Sequence, residues 1–360
     1  MSIWVAIIIA AVVGFGISAL LGLVVIPWLH KLKYGQTILD IGPSWHKSKQ
    51  GTPTMGGILF IAGTVISVVL TALIYHLSGG NLKESGDLLG SDTVLIWAGV
   101  FLALGQAVVG FADDYIKVVK KRNLGLTAIQ KTLGQIIVGF GYLLSLYLSH
   151  NTWTYIPFVG KWDMAESFYG IFFWIIGIII VYGFSNAVNL TDGIDGLCGS
   201  VTMVTAVSLL VMAMLERFAG MSIYAAALAG ACAGYLIWNH YPAKVFMGDT
   251  GSLFLGGAVI ALAFGIHCPF ILFIIGLVYI CETGSVMIQV SYYKLTKKPD
   301  ENGNLVGKRI FKMTPIHHHF EMSGWKENKI VAVFSTVAVI AGAAGVLLMY
   351  FGCYNFFAAA

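Results

Sequence analysis

Seventeen acidic residues in a chain of 360 are few enough that the place of each one matters. Asp113 and Asp114 stand side by side in Gly110-Phe111-Ala112-Asp113-Asp114-Tyr115, and Lys117, Lys120, Lys121 and Arg122 follow closely. Adjacent carboxylates repel unless a cation lies between them or one is protonated, and hard oxygen donors of this kind suit magnesium. Asp192 and Asp195 are three apart in Asn186-Ala187-Val188-Asn189-Leu190-Thr191-Asp192-Gly193-Ile194-Asp195-Gly196-Leu197. That spacing puts both on one face if the segment is helical, while Gly193 and Gly196 let backbone approach a ligand closely. No basic residue accompanies them in this stretch, so a metal or a ligand donor is the natural partner. An ordinary turn, or a helix end solvated among headgroups, remains the bland alternative for both clusters.

A third acidic position has a different setting. Asn239-His240-Tyr241-Pro242-Ala243-Lys244-Val245-Phe246-Met247-Gly248-Asp249-Thr250-Gly251-Ser252 leads into an apolar run. Free backbone N–H groups at such a helix start suit a phosphate, Asp249 adds a ligand for magnesium, and Phe246 can stack on a base. Asp249 or Ser252 as a simple N-cap is the competing expectation. His317, His318 and His319 form an internal run in Thr314-Pro315-Ile316-His317-His318-His319-Phe320. Three consecutive histidines cannot share one side of a helix, so a tridentate zinc site from this run alone is poor geometry. Metal or phosphate contact by one or two of them is expected. In Lys47-Ser48-Lys49-Gln50-Gly51-Thr52-Pro53-Thr54-Met55-Gly56-Gly57, the lysines and hydroxyls suit an anionic group, or equally a basic loop followed by a helix cap.

The elements that position these residues follow from composition. The chain is 58% hydrophobic and 11% charged, with mean hydropathy +0.83. A soluble protein carries about 25% charged residues, so a soluble globule is excluded, as are disordered, collagenous and disulfide-framework proteins. An all-α polytopic membrane protein in a single domain, residues 1–360, is expected. At about 20 apolar residues per crossing, ten spans are predicted: 3–26, 55–76, 93–112, 129–149, 168–188, 197–215, 221–238, 251–267, 270–290 and 329–352. The first run lacks a basic leader and exceeds a signal-peptide core in length, so it is expected to stay in the mature chain. Cys198, Cys232, Cys268, Cys281 and Cys353 lack metal-site spacing and are expected to be small buried hydrophobes.

Basic residues give the orientation. Loops 27–54, 113–131, 239–250 and 291–329 hold eighteen of the 21 Lys and Arg, and the opposite loops hold only Lys83, Lys161 and Arg217. The positive-inside rule then puts both termini outside and the acid-rich loops in the cytoplasm. Trp4, Trp28, Trp153, Trp162 and Trp238 suit the interfacial belt. Asp113, Asp114, Asp192, Asp195 and Asp249 all fall at the cytoplasmic boundary, where retained carboxylates are usually functional. A cleft open to that side is expected there. Glu282, within the ninth predicted span, either lines this cleft or pairs across helices.

Taken together, GTPTMGG (51–57), FADDY (111–115), NAVNLTDGIDGL (186–197), VFMGDTGS (245–252) and PIHHH (315–319) resemble the phospho-N-acetylmuramoyl-pentapeptide-transferase family. The likeness covers nearly the whole chain. DD and DGIDG are shared by the wider superfamily of polyprenyl-phosphate N-acetylhexosamine-1-phosphate transferases, whereas HHH and GTPTMGG are particular to this branch. The resemblance implies an enzyme of the bacterial cytoplasmic membrane that moves phospho-MurNAc-pentapeptide from UDP-MurNAc-pentapeptide to undecaprenyl phosphate. Its products are lipid I and UMP, in the first membrane step of peptidoglycan synthesis. It also implies magnesium as cofactor, held by Asp249 with Asp113 and Asp114, and a possible homodimer. His318 joins those three aspartates as a catalytic candidate. On the same basis Lys49, Thr54, Asn189, Asp192, Asp195 and Phe246 would hold the uridine side, His317 and His319 the diphosphate or sugar, with Asn239 behind them. A GlcNAc-1-phosphate transferase is the nearest rival, and Lys117 stands where such relatives usually carry a third Asp. A secondary transporter built around Glu282 is a distant one, since the acids gather at one membrane face rather than the midplane.

Overall fold

Backbone polar groups inside a bilayer must bond within their own segment, which leaves helices as the solution for a chain this apolar. The computed structural model describes residues 1–31, 49, 51–82, 91–120, 124–166, 170–299 and 304–355. Lys47, Ser48, Gln50, Lys83, Lys121 and Arg122 lie outside the described residues. Eight long helices come first: α1 (Ile3–Lys31), α2 (Gly57–Leu77), α3 (Ser91–Val119), α4 (Ala128–Leu148), α5 (Gly170–Thr191), α6 (Leu197–Leu215), α7 (Ala219–Asn239) and α8 (Gly248–Gly265). A 3₁₀ turn at Pro269–Ile271, α9 (Leu272–Ile275) and α10 (Leu277–Leu295) follow, then the short α11 (Ile316–Glu321) and α12 (Glu327–Met349). Among the described residues nine helices are long and apolar enough to cross a membrane, and the bent α9–α10 pair makes a tenth candidate. The chain is an all-α, multi-pass membrane protein.

Two expected boundaries shift in ways that bear on the site. α3 runs past residue 112 to Val119, so Asp113, Asp114 and Lys117 stand on one continuous helix. α8 starts at Gly248, so Asp249 is in its first turn rather than in a loop. Neither Asp249 nor Ser252 caps it, because the residue before the helix is Met247. The ninth predicted span, 270–290, is not one straight helix: its two parts are bent by 78°. At the break Gly276 leaves helical geometry, with φ −89° and ψ 15°. A Cβ there would lie 2.6 Å from the Phe184 ring of α5 and against the Leu272 carbonyl, so a glycine suits the bend.

The interior is built around α7 and α8. Every residue of α8 from Thr250 to Gly265 is buried, whereas α1 turns Ile8, Val12, Leu20, Leu23 and Val24 outward. Four cysteines are buried as expected; Cys281 is exposed, on the outer side of the inclined α10. Two small antiparallel pairs complete the chain, β1 (Trp153–Ile156) with β2 (Gly160–Asp163) and β3 (Lys298–Pro299) with β4 (Leu305–Val306). The first closes the end of the bundle away from the aspartates: the Tyr155 N–H donates to the His267 carbonyl at 2.8 Å and Trp153 stacks on His267 at 3.6 Å.

α1 and α7 meet through small residues, the usual device where lipid tails are as apolar as leucine. A Cβ at Gly14 would lie 2.6 Å from the Ala227 carbonyl oxygen, and one at Gly230 would overlap the Ala11 carbonyl. Ser67 adds α2 to this contact by donating to the Ala10 carbonyl of α1 at 2.6 Å. Gly230→Leu is therefore expected to lower the melting temperature in detergent, by the equivalent of about 1–3 kcal/mol or more. Gly16→Ala, which meets nothing within 4 Å, should leave that temperature unchanged or slightly raised; equal losses in the two variants would refute the seam.

Candidate active site

Antiparallel succession brings the C-terminal ends of α3, α5 and α7 to the same face as the N-terminal ends of α2, α4, α6 and α8. There the scattered polar motifs converge. Asp114 is almost fully buried and holds α3 against α8: it accepts from the Thr250 N–H at 2.9 Å, the Thr250 hydroxyl at 2.7 Å and the Asp249 N–H at 3.2 Å. This contact depends on Gly110 and Gly248, because a Cβ at Gly110 would overlap the Asp249 carbonyl and one at Gly248 would lie 2.6 Å from Asp114 Oδ2. Asp113, on the neighbouring face of the helix, accepts from the Leu126 N–H at 2.8 Å.

Two lysines lie among the carboxylates. Lys117 Nζ is 2.6 Å from Asp113 Oδ2, 2.9 Å from Asp249 Oδ2 and 3.8 Å from Asp114 Oδ1. Lys131 is 3.1 Å from the same Asp249 oxygen and 3.4 Å from Asn189 Oδ1. A capping box positions Lys131: the Thr127 hydroxyl accepts from the Gln130 N–H while the Gln130 side chain accepts from the Thr127 N–H, starting α4 at this point. Asn189, at the end of α5, donates through Nδ2 to Asp249 Oδ1 and to the Ser252 hydroxyl, both at 2.8 Å. Asp249 is thus gripped from three helices.

Asp113, Asp114 and Asp249 each offer an oxygen within 4.8 Å of the others. The donor set suits a hard divalent cation, which commonly takes one or two carboxylates and leaves the remaining positions to water and substrate phosphates. Lys117 already brings positive charge to the point where the three meet. Asp249 and Asp113 are the better placed donors, since Oδ2 of each meets the ends of lysine side chains, which a cation can displace, whereas both oxygens of Asp114 accept from backbone or hydroxyl groups of α8.

The Asp192–Asp195 pair does not share a helix face. Residues 192–196 form a turn between α5 and α6, and the two carboxylates part company. Asp195 is buried and ion-paired to Lys49 at 2.8 Å, with its second oxygen accepting from the Ala243 N–H at 2.9 Å. The cation missing locally therefore arrives from 146 residues away. Glu327, at the start of α12, completes the knot: it lies 2.7 Å from Lys49 and accepts from the Asp195 N–H at 3.1 Å. Burial works against the Lys49 ammonium, but its hydrogen bonds to Asp195 and Glu327 prevail and hold its pKa above the ordinary lysine value. Asp192 is half-buried, and its carboxyl has no hydrogen-bond partner among the described residues. Burial, followed by the charges of Asp249, Asp114 and Asp195, pushes it up to about 8.

Backbone pairing joins the remaining motifs. The Phe246 N–H donates to the Pro53 carbonyl, and the Phe246 carbonyl accepts from the Gly56 N–H, each at 2.8 Å. Phe246 is half-buried beside Thr54, whose hydroxyl would meet a Cβ at Gly248 at 2.9 Å. Asn239 is buried and committed to backbone, accepting from the Gly196 N–H at 3.0 Å and donating to the Val245 carbonyl at 2.9 Å. It fixes the Asp195 turn against the Phe246 segment.

The histidines diverge as their helical spacing requires. His317 is fully buried with Nδ1 3.0 Å from Glu282, and its Nε2 lies against Gly193. His318 pairs with Glu321 at 2.6 Å, and Nδ1 of His319 accepts from the Lys312 N–H at 3.2 Å. The sequence motifs do not mark Lys131 and Glu327, whose partners are 58 or more residues away, nor Glu321, which pairs with His318 from just beyond the histidine run; Lys117 figures there beside the aspartates and in place of a third Asp.

Known proteins resemble this chain along most of its length. Residues 96–267, from α3 through α8, match the glycosyl transferase family 4 model. Residues 49–61, which include Lys49 and Thr54, match phospho-N-acetylmuramoyl-pentapeptide-transferase signature 1. The phospho-N-acetylmuramoyl-pentapeptide-transferase of Carboxydothermus hydrogenoformans is 44% identical over 92% of this chain and 95% of its own. That of Acetivibrio thermocellus is 43% identical over 91% of each chain, and that of Listeria welshimeri 42% identical over 91% of this chain and 93% of its own. On identity sustained from end to end, the chain belongs to the phospho-N-acetylmuramoyl-pentapeptide-transferase family.

Proposed function

We propose that the protein transfers phospho-MurNAc-pentapeptide from UDP-MurNAc-pentapeptide to undecaprenyl phosphate, releasing UMP and forming lipid I. The convergence of three carboxylates and two lysines at the helix ends, together with family membership, supports this above all else. By the positive-inside rule the basic loops support a cytoplasmic position for that face, with both termini outside, and the bacterial relatives support a cytoplasmic membrane. A water-soluble nucleotide then reaches the site from the cytoplasm, and the lipid phosphate reaches it from the bilayer.

Joining two phosphates brings negative charge together, so electrostatics and positioning supply most of the acceleration. The lipid phosphate has a second pKa near 6 and is mostly dianionic at neutral pH, so it attacks without a strong base. Its oxygen bonds to the sugar-bearing phosphorus of the donor while the bond from that phosphorus to UMP breaks. Lys117 and Lys131 offset the charge of the diphosphate, and Asn189 keeps Asp249 oriented between them. Magnesium, held by Asp249 and Asp113 with Asp114 beside them, would neutralise the diphosphate and polarise the leaving UMP when bound. Phe246 stacks on uracil, with Lys49, Thr54, Asp192 and Asp195 around the nucleoside. His317, His318 and His319 approach the diphosphate or sugar from beside the Asp192–Gly196 turn.

Asp249→Asn should cut UMP release by on the order of 10³-fold. It should also abolish the rise in melting temperature that magnesium gives the wild type; near-normal turnover at saturating magnesium would sink the metal assignment. Labelled phosphate trapped on Asp113 or Asp114 in the absence of lipid acceptor would overturn direct attack.

Asp192 gives a prediction in pH. Because its pKa is raised, the carboxyl is protonated at neutral pH and ionises as pH climbs through about 8. The neutral form can donate to a uracil carbonyl, and the ionised form repels the diphosphate. UDP affinity, measured by calorimetry, should fall by about tenfold between roughly pH 7 and pH 9, each unit above a pKa reducing the protonated fraction about tenfold. Asp192→Asn should flatten that dependence; an affinity rising with pH in the wild type would contradict it.

A further inference from the structure

Glu282 is a carboxylate in an apolar helix, wholly buried and outside the aspartate cluster. Such a group is expensive unless something specific holds it. The inward stripe of α10 consists of Val278, Tyr279, Glu282, Ser285 and Gln289. Two of these residues grip the segment that ends in the histidines. Gln289 accepts from the Ile310 and Phe311 N–H groups at 2.9 and 3.1 Å and donates to the Phe311 carbonyl at 3.0 Å. Glu282, two turns earlier, uses a single oxygen, Oε2, for the Nδ1 of His317 at 3.0 Å and its backbone N–H at 3.4 Å. Both points lie on one face of one helix, so α10 acts as a ruler for residues 310–317.

The consequence for His317 is chemical. An ionised carboxylate only accepts, so in that state Glu282 favours the ring tautomer with its proton on Nδ1 and none on Nε2. Nε2 is buried and has no hydrogen-bond partner among the described residues. It faces the Asp192–Gly196 turn: a Cβ at Gly193 would overlap it, so the absence of a side chain there gives the ring its place. His318 and His319 differ, since their Nδ1 atoms bond to Glu321 within α11 and to the Lys312 backbone.

We propose that Glu282 is a positioning residue for the transfer reaction, fixing the orientation and Nδ1–H tautomer of His317, whose buried Nε2 backs the Gly193 turn beside Asp192. The inference rests on the transferase reading above.

Glu282→Met fills the same space without a charge or an acceptor; because it removes one partner of a buried pair, its melting temperature is measured beside its kinetics, and Glu282→Gln serves as the second variant. In Glu282→Met kcat should fall about 10- to 100-fold, the usual cost of removing a residue that orients a working histidine. KM for the nucleotide substrate should change by less than about twofold, a sign that ground-state binding is untouched. Glu282→Gln, which keeps an oxygen acceptor for Nδ1–H, should recover most of the loss. Adding Glu282→Met to His317→Ala should cost nothing further, because residues acting as a unit are not additive. Losses that multiply, or a Glu282→Met enzyme at wild-type kcat, would overturn the proposal. Nitrogen NMR of histidine-labelled wild type reads the tautomer without any variant: Nδ1–H at His317 is expected, and Nε2–H would overturn it. If the wild type releases no UMP from its substrates, the transferase reading fails by itself, and the NMR result still decides the role of Glu282.

Discussion

A charge at the edge of an apolar slab is stable only when a partner from elsewhere in the chain reaches it, and the architecture here is organised around that need. Asp114 accepts from the first turn of α8, Asp249 is held by residues of α3, α4 and α5, and Asp195 is neutralised by a lysine that precedes α2. None of these pairs is local. Each ties two or more helix ends together, so the same contacts that make the carboxylates tolerable also fix the register of the bundle at one face. A helix sliding by one turn would strand a buried charge, a cost of several kcal/mol.

The glycines complete this constraint. Gly110 and Gly248 permit the approach of α3 to α8, and Gly57 crosses Gly251 with no room for a side chain on either. Hydrogen bonds from Asp114 to α8 require backbone separations that a Cβ would prevent, so polar capture and steric allowance are two sides of one feature. The buried length of α8 beneath this contact acts as the post against which the other helices are set.

Much of this was legible in the chain itself. Apolar runs marked the spans, because a bilayer demands unbroken stretches of a set length, and the five aspartates stood out against so little other charge. What sequence could not show was which group answers which. The Asp192–Asp195 spacing suggested a shared helical face, yet the backbone turns between them and sends Asp195 to Lys49 and Glu327 while Asp192 is left open. Lys131 and Glu327 escaped notice because their partners are distant in sequence. The break in the ninth span went unmarked because composition does not register that Gly276 lies against the Phe184 ring. Among the three histidines, one-dimensional order gave no reason to separate His317 from its neighbours; burial against Glu282 does.

The ladder joining Pro53, Phe246 and Gly56 has a consequence for heredity. Phe246 is placed by main-chain groups at both its N–H and its carbonyl, and a point substitution changes side chains while leaving peptide bonds where they are. Lineages can therefore vary the surroundings of this aromatic ring far more readily than its position. A ligand that leaned on the frame here, rather than on adjoining side chains, would leave few single-codon routes of escape.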